Sequence, residues 1–168
     1  MSASTSFWDW AVAVYARPGV AEVCLDLQDG HDQNVPLLLW AFWAGNTGRQ
    51  LEFAHMVALA KAWQEVIVPL RELRRRLKTG VTDGDDLSRL PLREQVKAAE
   101  LAAEKALMDA LERQSLEPKV DMRLMDRPGY GGRESFVRAG LLMATIAWNG
   151  QAPMDELTRL TSLLYAED

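Results

Sequence analysis

Apolar residues recur at helical spacing along most of the chain. Positions three and four residues apart are apolar from Leu51 to about Lys78, which predicts one long helix. Residues 91–114 are rich in the strong helix formers Ala, Leu, Glu and Lys, which predicts another. Shorter helices are predicted at residues 7–16, 18–30, 35–45, 134–150 and 153–164. Neither the alternation typical of strands nor a βαβ pattern is present, so we expect an all-α fold, a compact bundle of about seven helices.

Capping and helix-breaking residues mark the predicted ends of the first three helices. Ser6 is placed to cap the first helix, and Pro18 is expected to open the second at its first turn, where the missing N–H costs nothing. Asn34 can cap the third helix, and Gly45 is expected to stop it. Within the second helix Cys24 falls on the apolar face, so we expect it in the core.

Two segments lack helical patterning and are predicted to connect helices. Residues 79–91, TGVTDGDDLSRLP, collect Gly, Thr, Asp and Pro and are typical of a surface loop. Residues 115–133 form a second, irregular connection. A chain of 168 residues is long enough for one domain with a sizeable core, but not for two domains of ordinary size. We therefore expect residues 1–168 to form a single helical domain.

The run VPLLLWAFWAG, residues 35–45, is apolar on every side of the predicted helix. A membrane span needs about 20 consecutive apolar residues, so we expect no membrane insertion. We predict that this helix is the buried centre of the bundle. The aromatic residues expected to pack around it are Trp8, Tyr15 and Trp63. The alternative leaves Trp40 or Trp43 exposed, as a protein or homodimer interface or as the wall of an apolar pocket for a small ligand.

Charge and cysteine content narrow the class of partner and the compartment. The net charge is −5, whereas binding to a nucleic-acid backbone requires a basic surface that releases counterions, so the balance argues against a nucleic-acid partner. The N-terminal segment MSASTSFWDW lacks the basic region and the cleavage site of a signal peptide. The single cysteine, Cys24, excludes an internal disulfide. These features favour a cytoplasmic protein.

Four charged residues lie on the apolar side of the helix predicted after Pro91. Glu100 and Glu104 fall inside the apolar face, and Arg93 and Lys97 stack on the same side one and two turns earlier. Carboxylates four residues apart repel each other on a helix, and the repulsion grows on burial. We therefore expect positive charge from another part of the chain to compensate them.

The preceding long helix is the expected source of that positive charge. In an antiparallel hairpin, Arg71 and Arg74 would come near the first turns of the next helix and reach toward Glu100. One interpretation is a salt-bridge cluster that fixes the register of the hairpin. The other is a polar binding pocket between the helices. The candidate binding residues of this pocket are Glu100, Glu104, Arg71, Arg74, Arg93 and Lys97, with Trp40 and Trp43 as apolar candidates.

The sequence also holds part of a metal-binding pattern. Glu52 and His55 form an E-x-x-H pair that, together with Glu100 and Glu104, is similar to part of a carboxylate di-iron site. Such a site needs a second E-x-x-H pair, but His31 is the only other histidine and is expected in a turn. We therefore predict no metal site and no cofactor, and we expect His55 at the surface.

The segment RPGYGGRE, residues 127–134, leads into the N-terminus of a predicted helix. Backbone amides at such an end can hold a phosphate or carboxylate. The residues that would form this anion site are Arg127, Gly131, Gly132 and Arg133. The G-x-x-x-x-G-K-[ST] pattern of phosphate-binding loops is missing and no strand is predicted before the segment, so a connecting linker is the favoured interpretation.

Several segments of the first two thirds of the chain resemble a known family. The opening FWDWAVAVYARPGVAEVCLDLQD, the run NVPLLLWAFWAG, and the segments PLRELRRRLK and LREQVKAAELAAE look like the helices of a family of proteobacterial proteins defined as a domain of unknown function. The resemblance covers roughly residues 7–115. It implies a bacterial, cytoplasmic, helical protein of one domain, and it brings no catalytic residue with it.

Two classes of function fit these features. We favour a non-enzymatic binding or regulatory protein whose partner is another protein or a second copy of the chain. The alternative is a small-molecule-binding protein or an enzyme that uses the Glu/Arg pocket between helices. If the pocket is catalytic, Glu100→Gln abolishes turnover and preserves the fold, whereas in a structural cluster the same substitution lowers the melting temperature.

Overall fold

The computed structural model describes residues 6–49, 52–79, 86–115 and 132–166. Within these ranges the regular secondary structure is α-helical throughout, which confirms the predicted all-α fold. The described helices are α1 (Phe7–Tyr15), α2 (Val20–His31), α3 (Val35–Thr47), α4 (Phe53–Thr79), α5 (Asp86–Gln114), α6 (Gly132–Asn149) and α7 (Met154–Tyr165). Residues 80–85 of the predicted surface loop and residues 116–131 of the predicted irregular connection lie outside the described part of the chain.

The first two helices meet at a turn that glycine makes possible. Ser6 caps α1 as predicted, because its hydroxyl accepts a hydrogen bond from the amide of Asp9 at 3.1 Å. The prediction that Pro18 opens α2 is wrong, since α2 begins two residues later, at Val20. Gly19 is the N-cap and has a φ of 80°, in the left-handed region that glycine adopts without strain. The chain therefore turns at Gly19, one residue after the proline at which the sequence suggested a helix start.

Helix α3 is the buried centre of the bundle, as predicted, and is packed by α1, α2, α5 and α6. Asn34 caps it, because the side-chain Oδ1 accepts a hydrogen bond from the amide of Leu37 at 2.8 Å. The expectation that Gly45 stops the helix is wrong. Helix α3 continues to Thr47, and Gly48, with a φ of 75°, forms the left-handed C-cap.

Gly45 has a packing role between α3 and α6. A Cβ atom added to Gly45 would lie 3.0 Å from the Cα atom of Val137 in α6, closer than side chains normally approach a backbone. On the facing helix, a Cβ atom added to Gly140 would lie 3.4 Å from the carbonyl oxygen of Ala41. The distance at Gly140 is an ordinary contact, so it is Gly45 that lets the backbones of α3 and α6 come this close together.

Helices α4 and α5 are the longest elements and form the predicted antiparallel hairpin. Arg71 of α4 pairs with Glu104 of α5, and nearer the connection Arg89 of α5 donates to the carbonyl oxygen of Leu77 of α4. The two helices therefore run in opposite directions. The sequence analysis placed the start of this helix at Pro91, but α5 starts at Asp86, so residues 86–91 of the predicted surface loop are helical. A proline inside a helix removes one backbone hydrogen bond, and here it does so close to the N-terminus of a 29-residue helix.

Apolar side chains from all the described helices join in one core, and the chain packs as a single-domain bundle. Cys24 lies in this core, as predicted, and Trp8 and Trp63 pack against it. Aromatic rings tie α1 to α3, with the centroids of Phe7 and Trp43 5.4 Å apart. None of the described helices has the length and apolar character needed to cross a membrane.

Candidate functional site

Two arginines of α4 and two glutamates of α5 form a buried ionic group, which we call the Arg–Glu cluster (Arg71, Arg74, Glu100 and Glu104). The Nε atom of Arg71 donates to Glu100 at 3.2 Å, and its Nη2 atom donates to Glu104 at 3.2 Å. Arg74 also donates to Glu100, through both Nε and Nη2. The structure therefore brings together the four residues whose spacing on two helices predicted this juxtaposition.

Burial and ion pairing both act on the charged groups of the cluster. Arg71 is 2% exposed and Glu100 is 5% exposed, so each charge needs the other to offset its lost hydration. Burial raises the pKa of Glu104, although the positive charge of Arg71 acts in the opposite direction. The hydrogen bond to Glu100 raises the pKa of Arg74. The two arginines and two glutamates carry equal and opposite formal charge.

Arg71 also forms a hydrogen bond with the connection between α2 and α3. Its third guanidinium nitrogen, Nη1, donates to the backbone carbonyl of Gln33 at 3.3 Å. The side chain of Gln33 donates in turn to Oδ1 of Asn149 at 2.8 Å, and the indole of Trp148 donates to the carbonyl of Asp32 at 2.8 Å. All three nitrogens of Arg71 are thus used by the protein itself. This arrangement favours the interpretation that the cluster sets the hairpin register and holds the residues before α3.

Arg93 and Lys97 do not join the cluster within the described contacts. Arg93 donates to Glu94 at 2.7 Å, and the Nζ atom of Lys97 lies 3.7 Å from the other carboxylate oxygen of Glu94. Lys97 is exposed, so its charge is screened by water. In the described contacts both residues pair with Glu94 rather than with Glu100 or Glu104, so their place in a shared binding site stays a prediction.

Both tryptophans of α3 are buried, so the alternative of an exposed Trp40 or Trp43 is wrong. The indole nitrogen of Trp40 donates to the hydroxyl of Ser115 at 2.9 Å, which satisfies its one polar atom inside the protein. The ring of Trp43 packs against Phe7, and the guanidinium of Arg49 lies over it at 4.9 Å. These contacts make both residues part of the core and exclude them from an interface.

An open apolar groove runs between α1 and α5, with the start of α3 as its floor. We call it the α1–α5 groove, and its volume is about 390 Å³. One wall comes from α1, where the lining positions recur at helical spacing, and the other comes from a stripe of α5. The lining residues are Trp8, Ala11, Val12, Tyr15 and Ala16 of α1, Gln28 of α2, Val35, Pro36 and Leu39 of α3, and Leu101, Glu104 and Met108 of α5.

Glu104 belongs to both the Arg–Glu cluster and the α1–α5 groove. One of its carboxylate oxygens accepts the hydrogen bond from Arg71, and the side chain also lines the groove beside Leu101 and Met108. Across the groove, burial raises the pKa of Tyr15, with smaller contributions from Cys24 and from the negative charge of Glu104. The groove is thus an apolar surface with a carboxylate set into its middle.

A second, polar cleft has Arg71 among its lining residues. It has a volume of about 470 Å³ and is formed by the C-terminal end of α2, by α4 and by the end of α6. Arg75 donates to Asp29 at its edge at 2.8 Å, and this bond holds the pKa of Asp29 below its usual value. His31, which was expected in a turn, is the last residue of α2 and lies 3.3 Å from Glu156. The cleft is lined mainly by groups that already bind one another.

The metal-binding pattern does not assemble in the described residues. Glu52 and His55 are exposed near the start of α4, at the end of the hairpin away from Arg71 and Arg74. Within the described ranges, no group of three or more His, Cys, Asp or Glu residues is close enough to hold a metal ion. The E-x-x-H pair therefore lies at the surface, and it is separate from the buried cluster that contains Glu100 and Glu104.

The glycine-rich segment is described only in part. Arg127 and Gly131 lie outside the described residues, so the anion site stays a prediction. Gly132, with a φ of 77°, is the first residue of α6. Arg133 is 3.5 Å from the backbone carbonyl of Asn46 and from its side-chain oxygen, a contact that links α6 to the end of α3.

The α1–α5 groove was missed by the sequence interpretation. Its walls come from helices far apart in the chain, joined where the amide of Phe7 donates to Glu112 at 3.1 Å. One signal was present in α1, which is apolar on two sides. Phe7, Trp10 and Val14 face the core, whereas Val12 lies on the other side and is exposed. A short helix with a second apolar side indicates a surface that is available for contact.

Comparison with known proteins confirms the family resemblance seen in the sequence. The model of a family described as "protein of unknown function (DUF2390)" matches residues 6–111, which is more than half of the chain. No curated protein and no solved structure matches the chain. The matched range includes α1 to α4 and most of α5, and therefore includes both the Arg–Glu cluster and the described walls of the α1–α5 groove.

Proposed function

We propose that this chain, which belongs to the DUF2390 family of proteins of unknown function, is a non-enzymatic binding protein. Its site is the α1–α5 groove, and its ligand is an apolar helical segment of a partner protein. The observation that carries the proposal is the pair of helix stripes that present apolar side chains to solvent on both sides of one groove.

Exposure of the groove residues supports a binding role. Val12 is 53% exposed, Tyr15 is 38% exposed and Leu101 is 56% exposed. Covering apolar surface contributes about 25 cal/mol per Å², so a ligand that buries these side chains gains free energy. Grooves between two helices commonly bind the apolar face of a third, which inserts side chains spaced by three and four residues. The open groove suits such a segment.

The Arg–Glu cluster has a supporting role in this proposal. It fixes α5 against α4, and through Gln33 it holds the residues before α3, which forms the floor of the groove. A groove with rigid walls loses less conformational entropy when its ligand binds. The cluster thus contributes preorganisation, which is consistent with its nitrogens being used inside the protein.

Photo-crosslinking tests the proposal. A photoreactive amino acid at Val12 should capture a partner in cells that naturally produce the protein, whereas the same group at Leu25, an exposed apolar position on α2, should not. The captured segment is then made as a peptide and titrated into the purified protein by calorimetry. We expect Leu101→Asp to weaken its binding about tenfold or more, because it buries an unpaired charge.

Three results would contradict this function. Identical adducts from the Val12 and Leu25 positions would show that capture is not specific to the groove. Equal affinity of the peptide for wild type and for Leu101→Asp would place the contact elsewhere. An adduct with a second copy of the chain would replace a separate partner with a homodimer. The variant Leu25→Asp is the matched control and should bind the peptide as wild type does.

A second candidate function is small-molecule binding in the polar cleft. The supporting observation is its volume of about 470 Å³ together with the charged side chains of Glu72 and Arg75 at its wall. A native mass spectrum of the purified protein distinguishes small-molecule binding in the cleft from peptide binding in the α1–α5 groove. A small mass retained by wild type and lost in Glu72→Ala favours the cleft, and a bare chain that binds the captured peptide favours the groove.

A further inference from the structure

Glu104 occupies the middle of the apolar wall that α5 contributes to the groove. Leu101, Glu104 and Met108 follow one another at spacings of three and four residues, so they form one stripe along the helix. The facing wall consists of apolar and aromatic residues of α1, and the floor is apolar residues of α3. Among the described residues that line the groove, Glu104 alone carries a formal charge.

The two glutamates of the cluster are compensated unequally. Glu100 accepts hydrogen bonds from both Arg71 and Arg74, whereas the described bond to Glu104 comes from Arg71 alone. Arg71 divides its guanidinium among Glu100, Glu104 and a backbone carbonyl. Nearby, the ammonium of Lys105 is used by Asp109 at 3.3 Å and lies over the ring of Trp8. Glu104 therefore has one described cationic hydrogen-bond partner, which it shares with Glu100, whereas Glu100 has two.

Docking of a purely apolar segment would remove the remaining water from this carboxylate. Burial of a charge without a new partner carries a large penalty, and burial already disfavours the charged form of Glu104. A ligand that brings an ammonium or guanidinium group avoids that penalty by making a charge-assisted hydrogen bond. The net charge of −5 also favours the approach of a basic segment.

We propose that the partner segment carries one lysine or arginine on its apolar face, and that Glu104 receives the cationic group at the centre of the α1–α5 groove. This inference rests on the proposed function, and it adds the chemistry of the partner. It assigns specificity to one carboxylate and affinity to the surrounding apolar side chains. Cationic ligands should therefore bind better than neutral ones of the same shape, and neutral ones better than anionic ones.

A matched series of small probes tests this selectivity without knowledge of the partner. The probes are n-octylammonium, n-octanol and n-octanoate, which share an apolar chain and differ in the charge of the head group. Binding is followed at pH 7 by chemical-shift changes of the backbone amides of α1 and α5. We expect n-octylammonium to bind wild type about tenfold more tightly than n-octanol, the size of one hydrogen bond to a charged group.

Two variants separate the role of Glu104 from that of overall charge. Glu104→Gln should bind the ammonium and the alcohol equally. Glu94→Gln, which removes the same charge from the same helix outside the groove lining, should keep the tenfold preference. The thermal melt of each variant shows whether it is folded. The wild-type series decides the question even if Glu104→Gln does not fold.

The outcomes also separate this inference from the proposed function. Equal binding of all three probes in the groove would overturn the role of Glu104 and leave the groove as a binding site. A preference for the ammonium that survives in Glu104→Gln would assign the preference to general charge attraction and would also overturn it. If no probe perturbs the amides of α1 and α5, the groove does not bind apolar chains and both proposals fail.

Discussion

Gly45 of α3 and Val137 of α6 are in such close contact that a single added carbon on Gly45 would lie 3.0 Å from the Val137 backbone. We expect Gly45→Ala to lower the free energy of unfolding by about 1–3 kcal/mol, because an overpacked contact with backbone cannot be relieved by a side-chain rotation. Urea denaturation monitored by tryptophan fluorescence measures this change.

Gly30 provides the matched control for that substitution. It lies in α2, and a Cβ atom there would meet nothing within 4 Å. We expect Gly30→Ala to raise the free energy of unfolding by about 0.4–1 kcal/mol, since alanine loses less backbone entropy in a helix. Equal effects at the two glycines would show that Gly45 of α3 and Val137 of α6 are not in close contact.

Loss of the central carboxylate of the cluster should destabilise the fold. In Glu100→Gln, Arg71 and Arg74 lose their shared counter-charge in a buried setting, and we expect the free energy of unfolding to fall by about 3–5 kcal/mol. The surface substitution Glu94→Gln should change it by no more than about 0.5 kcal/mol. Denaturant titration of both variants gives the comparison, and similar small effects would show that the cluster has no structural role.

The pKa of Glu104 predicts a particular dependence of stability on pH. Its pKa in the folded protein is raised from an ordinary value of 4.5, so the folded state binds the proton more tightly than the unfolded state. The stability due to this group is therefore fully present below pH 4.5 and is lost as the pH rises through the folded pKa. Glu104→Gln removes this loss, so the variant should gain stability relative to wild type as the pH rises.

Urea denaturation of both proteins between pH 4 and pH 7 measures this difference at each pH. Asp29 provides the opposite case, because its lowered pKa stabilises the fold above its ordinary value of 3.8 and that contribution is lost as the pH falls. If Glu104→Gln instead lost stability relative to wild type with rising pH, the attraction of Arg71 for the ionised carboxylate would outweigh burial.

The thiol of Cys24 should be unreactive while the protein is folded. Burial raises its pKa to about 12, so the reactive thiolate is scarce at pH 8 and the side chain is also covered. We expect alkylation by iodoacetamide at pH 8 to be about a thousandfold slower or more in the native protein than in urea. Rapid labelling of the native protein, followed by mass spectrometry, would show that α2 opens readily.

Much of the local structure follows directly from the sequence. The charged positions Glu100 and Glu104 stand out on an apolar helix face, and only a nearby positive helix can compensate them, so the Arg–Glu cluster could be predicted. The caps Ser6 and Asn34 were also predictable, because a short polar side chain just before an apolar helical run satisfies exposed amides. The caps depend on residues within one turn of each other, and the cluster depends on two helices that follow one another in the chain.

Features that depend on tertiary contacts could not be predicted in the same way. Gly45 and Gly48 are equally good helix terminators by residue type, and only the closeness of α6 explains why the first is inside the helix. Arg93 and Lys97 share a helix side with Glu100, but their long side chains reach Glu94 instead. The α1–α5 groove requires two segments about a hundred residues apart to meet, which periodicity alone does not show.

The separation of its two walls in sequence makes the groove a property of the complete fold. A chain in which α1 has detached from α5 retains the hairpin but has no groove. A ligand that binds there therefore binds only the native form and raises the melting temperature in proportion to the logarithm of its concentration. Thermal shift is thus a direct assay for candidate partners, and occupancy of the groove also protects the chain from proteolysis.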